Sequence, residues 1–538
     1  MGYQGLRGSS TDSQAEVDKR LLLELAGKFT NTKGTNRIEQ IEKSMAVLFN
    51  ALPKDEYGRV KHDVVRYALH RFFLQHRNWN IRGLDPNSDS VENMSSLSSI
   101  DMNFNVDHLP LVPSLLQNTL EQHHIGVGLN LKELAALAAS IEDLTHRESL
   151  DRLGRAYDSL NLNKDSTLTP SDARRIGETY AAMYWSAVFS NDTWSADWSP
   201  QVIAVKTAEF MEFDRFKDMR TWMDGVLPDL TSRRHAKFED LASVVEAHDN
   251  SVGKFSENGC QSLKQTLLGM HTRKPGRVRL SDFYNHSIIG EGSWWLGEKV
   301  EYLKALGALD DTNTSNLRVI IPNYVTSPTQ CFRPMSTYEV CCHNECEDLM
   351  TQLEKTVGAH EARPDLLENL VAKLESATVK PQGNLPIALR KQLLEIARDS
   401  GGRVALHSRT FALWMHNVFP NECPFPHQQG SASPLTPDEW IKSTGQTTQM
   451  ASREEMEAYI RPDDVCSGDC ERQMEDLLDL GWEYNAAVLP DQVTDYIAYE
   501  DNSNQGGLFT LRSLSIACTL FLLVGVSFSA KVKQNKLL

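Results

Sequence analysis

Side chains able to do chemistry concentrate in two stretches of this 538-residue chain. The first is NLNKDSTLTPSD, residues 161–172, where Asn161, Asn163, Asp165, Thr167, Thr169 and Asp172 set oxygen atoms at short, regular intervals. Calcium takes six to eight hard oxygen ligands, and one loop of this composition can supply most of them. The second stretch, 331–470, holds Cys331, Cys341, Cys342, Cys346, Cys423, Cys466 and Cys470, seven of the nine cysteines. Thiolates with His343 would suit tetrahedral zinc, an oxidising compartment would pair the thiols, and a reducing one would leave them free. Each C-x3-C spacing, Cys342/Cys346 and Cys466/Cys470, puts two sulfurs on one helix face, so two such helices laid antiparallel could be stapled by a pair of disulfides. Cys423 and His427 suggest a nucleophile and its base. Pro424 and Pro426 hold that segment extended, which favours a packed loop instead.

Residues 150–190 read as a helix, a twelve-residue loop and a helix, and in this they resemble an EF-hand. The resemblance implies side-chain ligands at Asn161, Asn163 and Asp165 (places one, three and five), the carbonyl of Thr167, a water-mediated place at Thr169, and closure by Asp172. Leu168 takes the apolar eighth place that pairs with a partner loop. The loop departs from the pattern at Asn161, at Ser166 where glycine is usual, and at Asp172 where glutamate is usual. Lys164 also offsets part of its charge, so the expectation is weak calcium binding with magnesium as a competitor. EF-hands come in pairs, and AEFMEFDRFKDM suggests a non-binding partner loop from Ile203 to Asp214, with Phe210 at the apolar place. A fainter echo recurs as Gly58-Arg59-Val60, Gly276-Arg277-Val278 and Gly402-Arg403-Val404, each followed by a helical pattern; the basic residue argues against an ion there. The 331–430 region, through YEVCCHNECEDLM and NECPFPH, resembles uncharacterised proteins of single-celled eukaryotes.

The elements that must position these residues are mostly helical. Leu21, Leu22, Leu25, Ala26 and Phe29 form one apolar stripe, Ile38, Ile41, Met45 and Leu48 a second, and Val64, Tyr67, Ala68 and Phe72 a third. The fold class expected is mostly α, with EF-hand-like helix-loop-helix units and a second, Cys-bearing α-rich domain. The expected organisation is an N-terminal helical region (1–86), a polar linker (87–113), a helical domain with the EF-hand-like pair (114–309), the Cys-bearing domain (317–500) and a tether (501–512). A transmembrane helix (513–530) and a basic tail (531–538) follow. Ser513–Ala530 runs 18 residues without a charge. At 1.5 Å per residue that is about 27 Å, enough for the hydrocarbon core when flanking residues extend it.

Lys531, Lys533 and Lys536 place the short tail in the cytosol. The bulk would then be lumenal or external, yet the first twenty residues carry no apolar signal core, so the alternatives are a tail-anchored protein with cytosolic bulk or a true start further upstream. Four N-x-[ST] sequons, at Asn93, Asn191, Asn285 and Asn313, are about what chance supplies. With 55 Lys+Arg against 72 Asp+Glu, the net −17 repels phosphate and argues against nucleic acid. Nucleotide-binding, hydrolase, metalloprotease and kinase signatures are all missing. The reading is a membrane-anchored calcium-binding or scaffolding protein with protein partners. Its alternatives are an enzyme using a Cys/His site within 331–470, or a purely structural membrane subunit.

Overall fold

Apolar residues at helical spacing account for most of the fold, and side-chain caps close several of its helices. The computed structural model describes residues 32–82, 84, 128–189, 199–213, 216–226, 236–270, 275–289, 296–334, 337–381, 383–428 and 432–460. The Leu21–Phe29 stripe, the 87–113 linker, the Cys466/Cys470 pair, the tether, Ser513–Ala530 and the basic tail lie outside them. Among the described residues no helix is long and apolar enough to cross a membrane.

Helix α1 (Thr32–Ala51) buries Ile38, Ile41, Met45 and Leu48, and α2 (His62–Arg77) buries Val64, Ala68 and Phe72, as the stripes require. Strand β1 (Trp79–Ile81) follows. Helix α3 (Leu131–Ser159) starts at a capping box: Asn130 accepts the Glu133 N–H, and Glu133 accepts the Asn130 N–H. Proline begins both α4 (Pro170–Phe189) and α5 (Pro200–Glu212), where its missing N–H costs nothing. Helices α6 (Lys217–Val226) and α7 (Phe238–Met270) complete this half. The second half runs through β2 (Arg277–Arg279), α8 (Leu280–Ile289), α9 (Val300–Ala305), β3 (Leu309–Asp310), β4 (Arg318–Ile320), α10 (Ile321–Val325) and β5 (Tyr338–Val340). Then come α11 (Glu345–Val357), β6 (Glu361–Ala362), α12 (Pro364–Val371), α13 (Ile387–Asp399), β7 (Val404–Ala405), α14 (Arg409–Val418), α15 (Pro437–Thr444) and α16 (Arg453–Ile460).

The strands are very short, and they repeat one device. Val60 pairs antiparallel with Leu129, Leu168 with Ala236, Val278 with Val319, and Ala362 with Val404. All eight residues are buried, none more than 3 % exposed. All but Val404 stand two residues ahead of the first residue of a helix: α2, α3, α4, α7, α8, α10 and α12. Each pairing thus joins the connection before one helix to the connection before another.

Among the described residues three apolar cores result. One spans Ile38 to Val252 and takes in Tyr338 and Val340, one runs from Cys260 to Met456, and one from Leu349 to Cys423. They are stitched across long sequence distances: β1 pairs with β5, and disulfides join Cys260 to Cys342 and Cys346 to Cys423. Residues 310–316 lie between the expected 114–309 and 317–500 domains. They hold the turn of the β3–β4 hairpin, and Asp310 there is buried against Arg277.

Candidate functional site

The loop at 161–172 joins helices α3 and α4. Helix α3 ends at Ser159, and Asn161 turns the chain with φ 54°, a left-handed conformation that asparagine tolerates better than most residues. Ser166, at the place where an EF-hand needs a left-handed glycine, is not among the positive-φ residues. The oxygens of Asn163, Thr169 and Asp172 are committed locally. Asn163 Oδ1 accepts the Asp165 N–H at 2.9 Å, and the Asn163 carbonyl accepts the Ser166 hydroxyl at 2.7 Å. Thr169 donates its hydroxyl to Asp172 Oδ2 at 2.7 Å, and Arg175 lies 3.5 Å from Asp172 Oδ1. Thr167 and Asp165 are exposed, while Leu168 is buried in its pairing with Ala236. Asn161, Asn163, Asp165 and Thr167 therefore remain on one exposed loop, but Asp172 serves as a cap for α4.

The same use of an acid recurs. Four residues after the bridging residue stand Glu133, Asp172, Asp240 and Asp282, each bonded back to the residue that follows the bridge. Asn130 N–H donates to Glu133 at 2.9 Å, Thr169 Oγ1 to Asp172 at 2.7 Å, Lys237 N–H to Asp240 at 3.0 Å and Arg279 Nε to Asp282 at 2.9 Å. A carboxylate near a helix N-terminus is favourable there without any ion.

The partner of the 161–172 loop differs from the one expected. Ile203 and Phe210 lie within α5, buried on its inner face, because Pro200 starts a continuous helix that leaves no loop before Glu212; Asp214 lies outside the described residues. The pairing residue is Ala236, just ahead of α7. Alanine two residues before an amphipathic run is the only signal the sequence offered for it.

Each Gly-Arg-Val copy carries out one local task. Gly58, Gly276 and Gly402 take φ of 74°, 75° and 91°, and the following valines are the bridging or pairing residues. The arginines tie one connection to another: Arg59 Nη1 donates to the Gly128 carbonyl at 3.3 Å, Arg277 Nε meets Asp310 at 2.7 Å, and Arg403 pairs with Glu361. A guanidinium stands in these loops and links them directly. The glycines also separate two costs. Gly58→Ala has open space around the new methyl and is expected to cost about 1–2 kcal/mol from the left-handed backbone alone. Gly276→Ala would add a Cβ 2.1 Å from the Pro420 carbonyl oxygen and should lose several times more. Urea midpoints for the two variants check this, and equal losses would contradict the packing.

Among the described residues the six cysteines are paired as Cys260–Cys342, Cys331–Cys341 and Cys346–Cys423. Cys342 and Cys346 thus bond to different partners, so the two-helix staple they suggested is not formed, and neither they nor His343 make a zinc site. Cys342 ends its β5 connection before α11 begins, which puts it and Cys346 on different elements. His343 Nε2 instead meets Asp348 at 2.9 Å. Cys423 is buried in its disulfide and is no nucleophile, while His427 Nε2 bonds the Gly307 carbonyl at 2.6 Å. Cys331, Glu339 and Cys341 are the only described group of three His, Cys, Asp or Glu atoms close enough to share an ion. With both sulfurs bonded to each other, that group has no thiolate to offer.

Buried polar residues that the sequence did not single out also hold elements together. Asp249 on α7 accepts the Ser149 hydroxyl at 2.6 Å and the Tyr180 hydroxyl at 2.7 Å, and lies 2.9 Å from His248 Nδ1. Serine, histidine and aspartate are all present, but Ser149 donates to the carboxylate, so the arrangement gives no activated nucleophile. Glu298 sits buried at the pairing with Met450 and accepts the Tyr324 hydroxyl at 2.8 Å. Burial pushes its carboxyl up to about 7, against the opposing hydrogen bonds from Tyr324 and the backbone of Glu298 and Gly297. The folded protein keeps this proton while the unfolded chain has lost it, so stability should fall as pH rises from about 4.5 to about 7 and level off above. At 1.36 kcal/mol per unit the loss is about 3 kcal/mol. Glu298→Gln should flatten that stretch of a stability-against-pH curve, and an unchanged slope would count against it.

No protein-family model matches this sequence, and no curated protein or solved structure matches it.

Proposed function

We propose that this chain is a non-catalytic, EF-hand-like scaffold held at a membrane by Ser513–Ala530, with its bulk in an oxidising compartment. The observation that carries the reading is the fourfold pairing of connections, seven of whose eight bridging residues stand two places ahead of a helix. That is the place an apolar eighth loop residue holds in paired EF-hands. In this chain capping acids and arginine ties replace the ion, so the helix pairs are fixed in one arrangement. Such a body suits the holding of protein partners at a membrane surface. Three disulfides support the compartment, since thiols in the cytosol are kept reduced. That side agrees with a cytosolic tail bearing Lys531, Lys533 and Lys536. Peptide mapping of the chain digested without reductant should recover the three cystine-linked pairs. Six alkylated thiols would sink the compartment reading.

A second reading, a weak calcium site, is favoured by the exposed oxygens of Asn161, Asn163, Asp165 and Thr167 together with Asp172. Coordination would require Asp172 to leave Thr169 and Arg175, which lowers affinity. Calorimetric titration of calcium, then magnesium, into wild type and Asp165→Ala/Asp172→Ala decides it. The scaffold reading expects no saturable heat in either protein. Binding lost in the double variant would establish the ion site instead.

A further inference from the structure

Once the described cysteines are paired, the sequons gain chemical meaning, because an oxidising secretory lumen is also where asparagine is glycosylated. Two of the four lie among described residues, and their settings differ. Asn313, itself half-buried, stands at the tip of the β3–β4 hairpin, flanked by exposed Asp311, Thr312, Thr314 and Ser315. Its Oδ1 accepts the N–H of Ser315, the third residue of its own sequon, at 3.0 Å. That turn engages the carbonyl oxygen and leaves the amide nitrogen, the reacting atom, uncommitted by it. The base of the hairpin is fixed by Arg277 on Asp310, and Asp310 in turn accepts the Thr312 hydroxyl at 2.6 Å. A bulky group on the tip would therefore meet solvent without disturbing the core.

Asn285 sits inside α8, where the backbone N–H of Ser287 belongs to the helix. The Ser287 hydroxyl is buried and accepts the Leu296 N–H at 2.5 Å. The turn made at Asn313 cannot form there, and a glycan would crowd the helices packed around α8.

We propose that Asn313 carries an N-linked glycan and that Asn285 does not; the assignment rests on the oxidising-compartment reading above. The transfer joins the Asn313 amide nitrogen to the anomeric carbon of an oligosaccharide borne on a lipid diphosphate. The anomeric C–O bond breaks, the lipid diphosphate leaves with the electron pair, and the nitrogen gives up one proton to a base of the transferring enzyme.

The test uses the full chain in eukaryotic cells, with gel mobility read before and after removal of N-glycans by an amidase. Asn313→Gln should lose one glycan step, Ser315→Ala should lose the same step while keeping Asn313 in place, and Asn285→Gln should lose none. A chain with Asn93, Asn191 and Asn285 all changed to glutamine should keep one step. No step in that triple variant, or full mobility shift in Ser315→Ala, overturns the assignment. Cystine mapping of the same samples separates the two failures: intact disulfides without a glycan on Asn313 overturn this site alone, whereas free thiols overturn the compartment reading and the site with it.

Discussion

Removing one long-range disulfide should cost this protein more than almost any exposed substitution. For Cys260→Ala/Cys342→Ala the expected loss is about 4 kcal/mol, and the origin lies chiefly in the unfolded chain. The bond closes a loop of 82 residues. Releasing it returns that loop's configurational freedom to the denatured state, worth roughly 4–5 kcal/mol at 25 °C in the chain-entropy treatment. Alanine leaves no new buried polar group, although both cysteines are buried where α7 meets the connection between β5 and α11. The Cys331–Cys341 bond spans only 10 residues and should matter less by the same logic. Guanidinium unfolding of the two double variants, both without reductant, checks the ordering. Equal midpoints for Cys260→Ala/Cys342→Ala and wild type would contradict it, as would a larger loss for the short loop.

How much of this was legible in the sequence depends on whether a feature is local. The stripes at Ile38–Leu48 and Val64–Phe72 announced their helices because the apolar period of an α-helix is written in neighbouring residues. Gly-Arg-Val marked real turns for a similar reason: a left-handed glycine followed by a buried valine is a local requirement, and the three copies share it. Ala236 was missed because its role is set by Leu168, far away in sequence, and alanine itself says little. Reading Phe210 as the pairing residue failed because a buried aromatic on α5 and an apolar loop residue look alike in one dimension. The disulfide partners were hidden in the same way. Cys260 lies outside the cysteine cluster, so spacing within the cluster suggested a staple that the fold does not use. The clustering of side-chain oxygens at 161–172 was legible in the residue types alone. That Thr169 and Asp172 cap α4 became visible only when the two were seen to face one another.

The buried charge at Arg71 carries the other large expected effect. Arg71 on α2 reaches α11, where its guanidinium pairs with Glu354 and lies 2.5 Å from Glu347; it also donates to the Glu347 carbonyl and to Thr351 Oγ1, each at 3.2 Å. His407 Nε2 lies 2.8 Å from the same Glu354 oxygen, and the Arg71 and Glu354 side chains are almost wholly buried. Arg71→Leu would strand the Glu354 carboxylate, and breaking a buried pair from one side costs about 3–5 kcal/mol. Arg71→Leu/Glu354→Leu removes the fully buried pair, leaves the partly exposed Glu347 carboxylate without its guanidinium, and should recover part of that loss, since apolar replacement of a buried pair is often close to neutral. The pH dependence adds a sign that packing loss alone cannot mimic. Burial raises the Glu354 carboxyl, but Arg71 and His407 outweigh it and hold it below the usual carboxylate range. In the wild type this group therefore adds stability above about pH 4.5 that is lost as pH falls through its lowered folded value. In Arg71→Leu burial dominates, the carboxyl moves up, and the neutral form becomes the better one to bury, so the deficit of the variant should shrink as pH falls from 7 to 5. Urea unfolding of the wild type, both single variants and the double variant at the two pH values tests this. A deficit under about 1 kcal/mol, or one that does not change with pH, would mean that Arg71 contributes packing and little else.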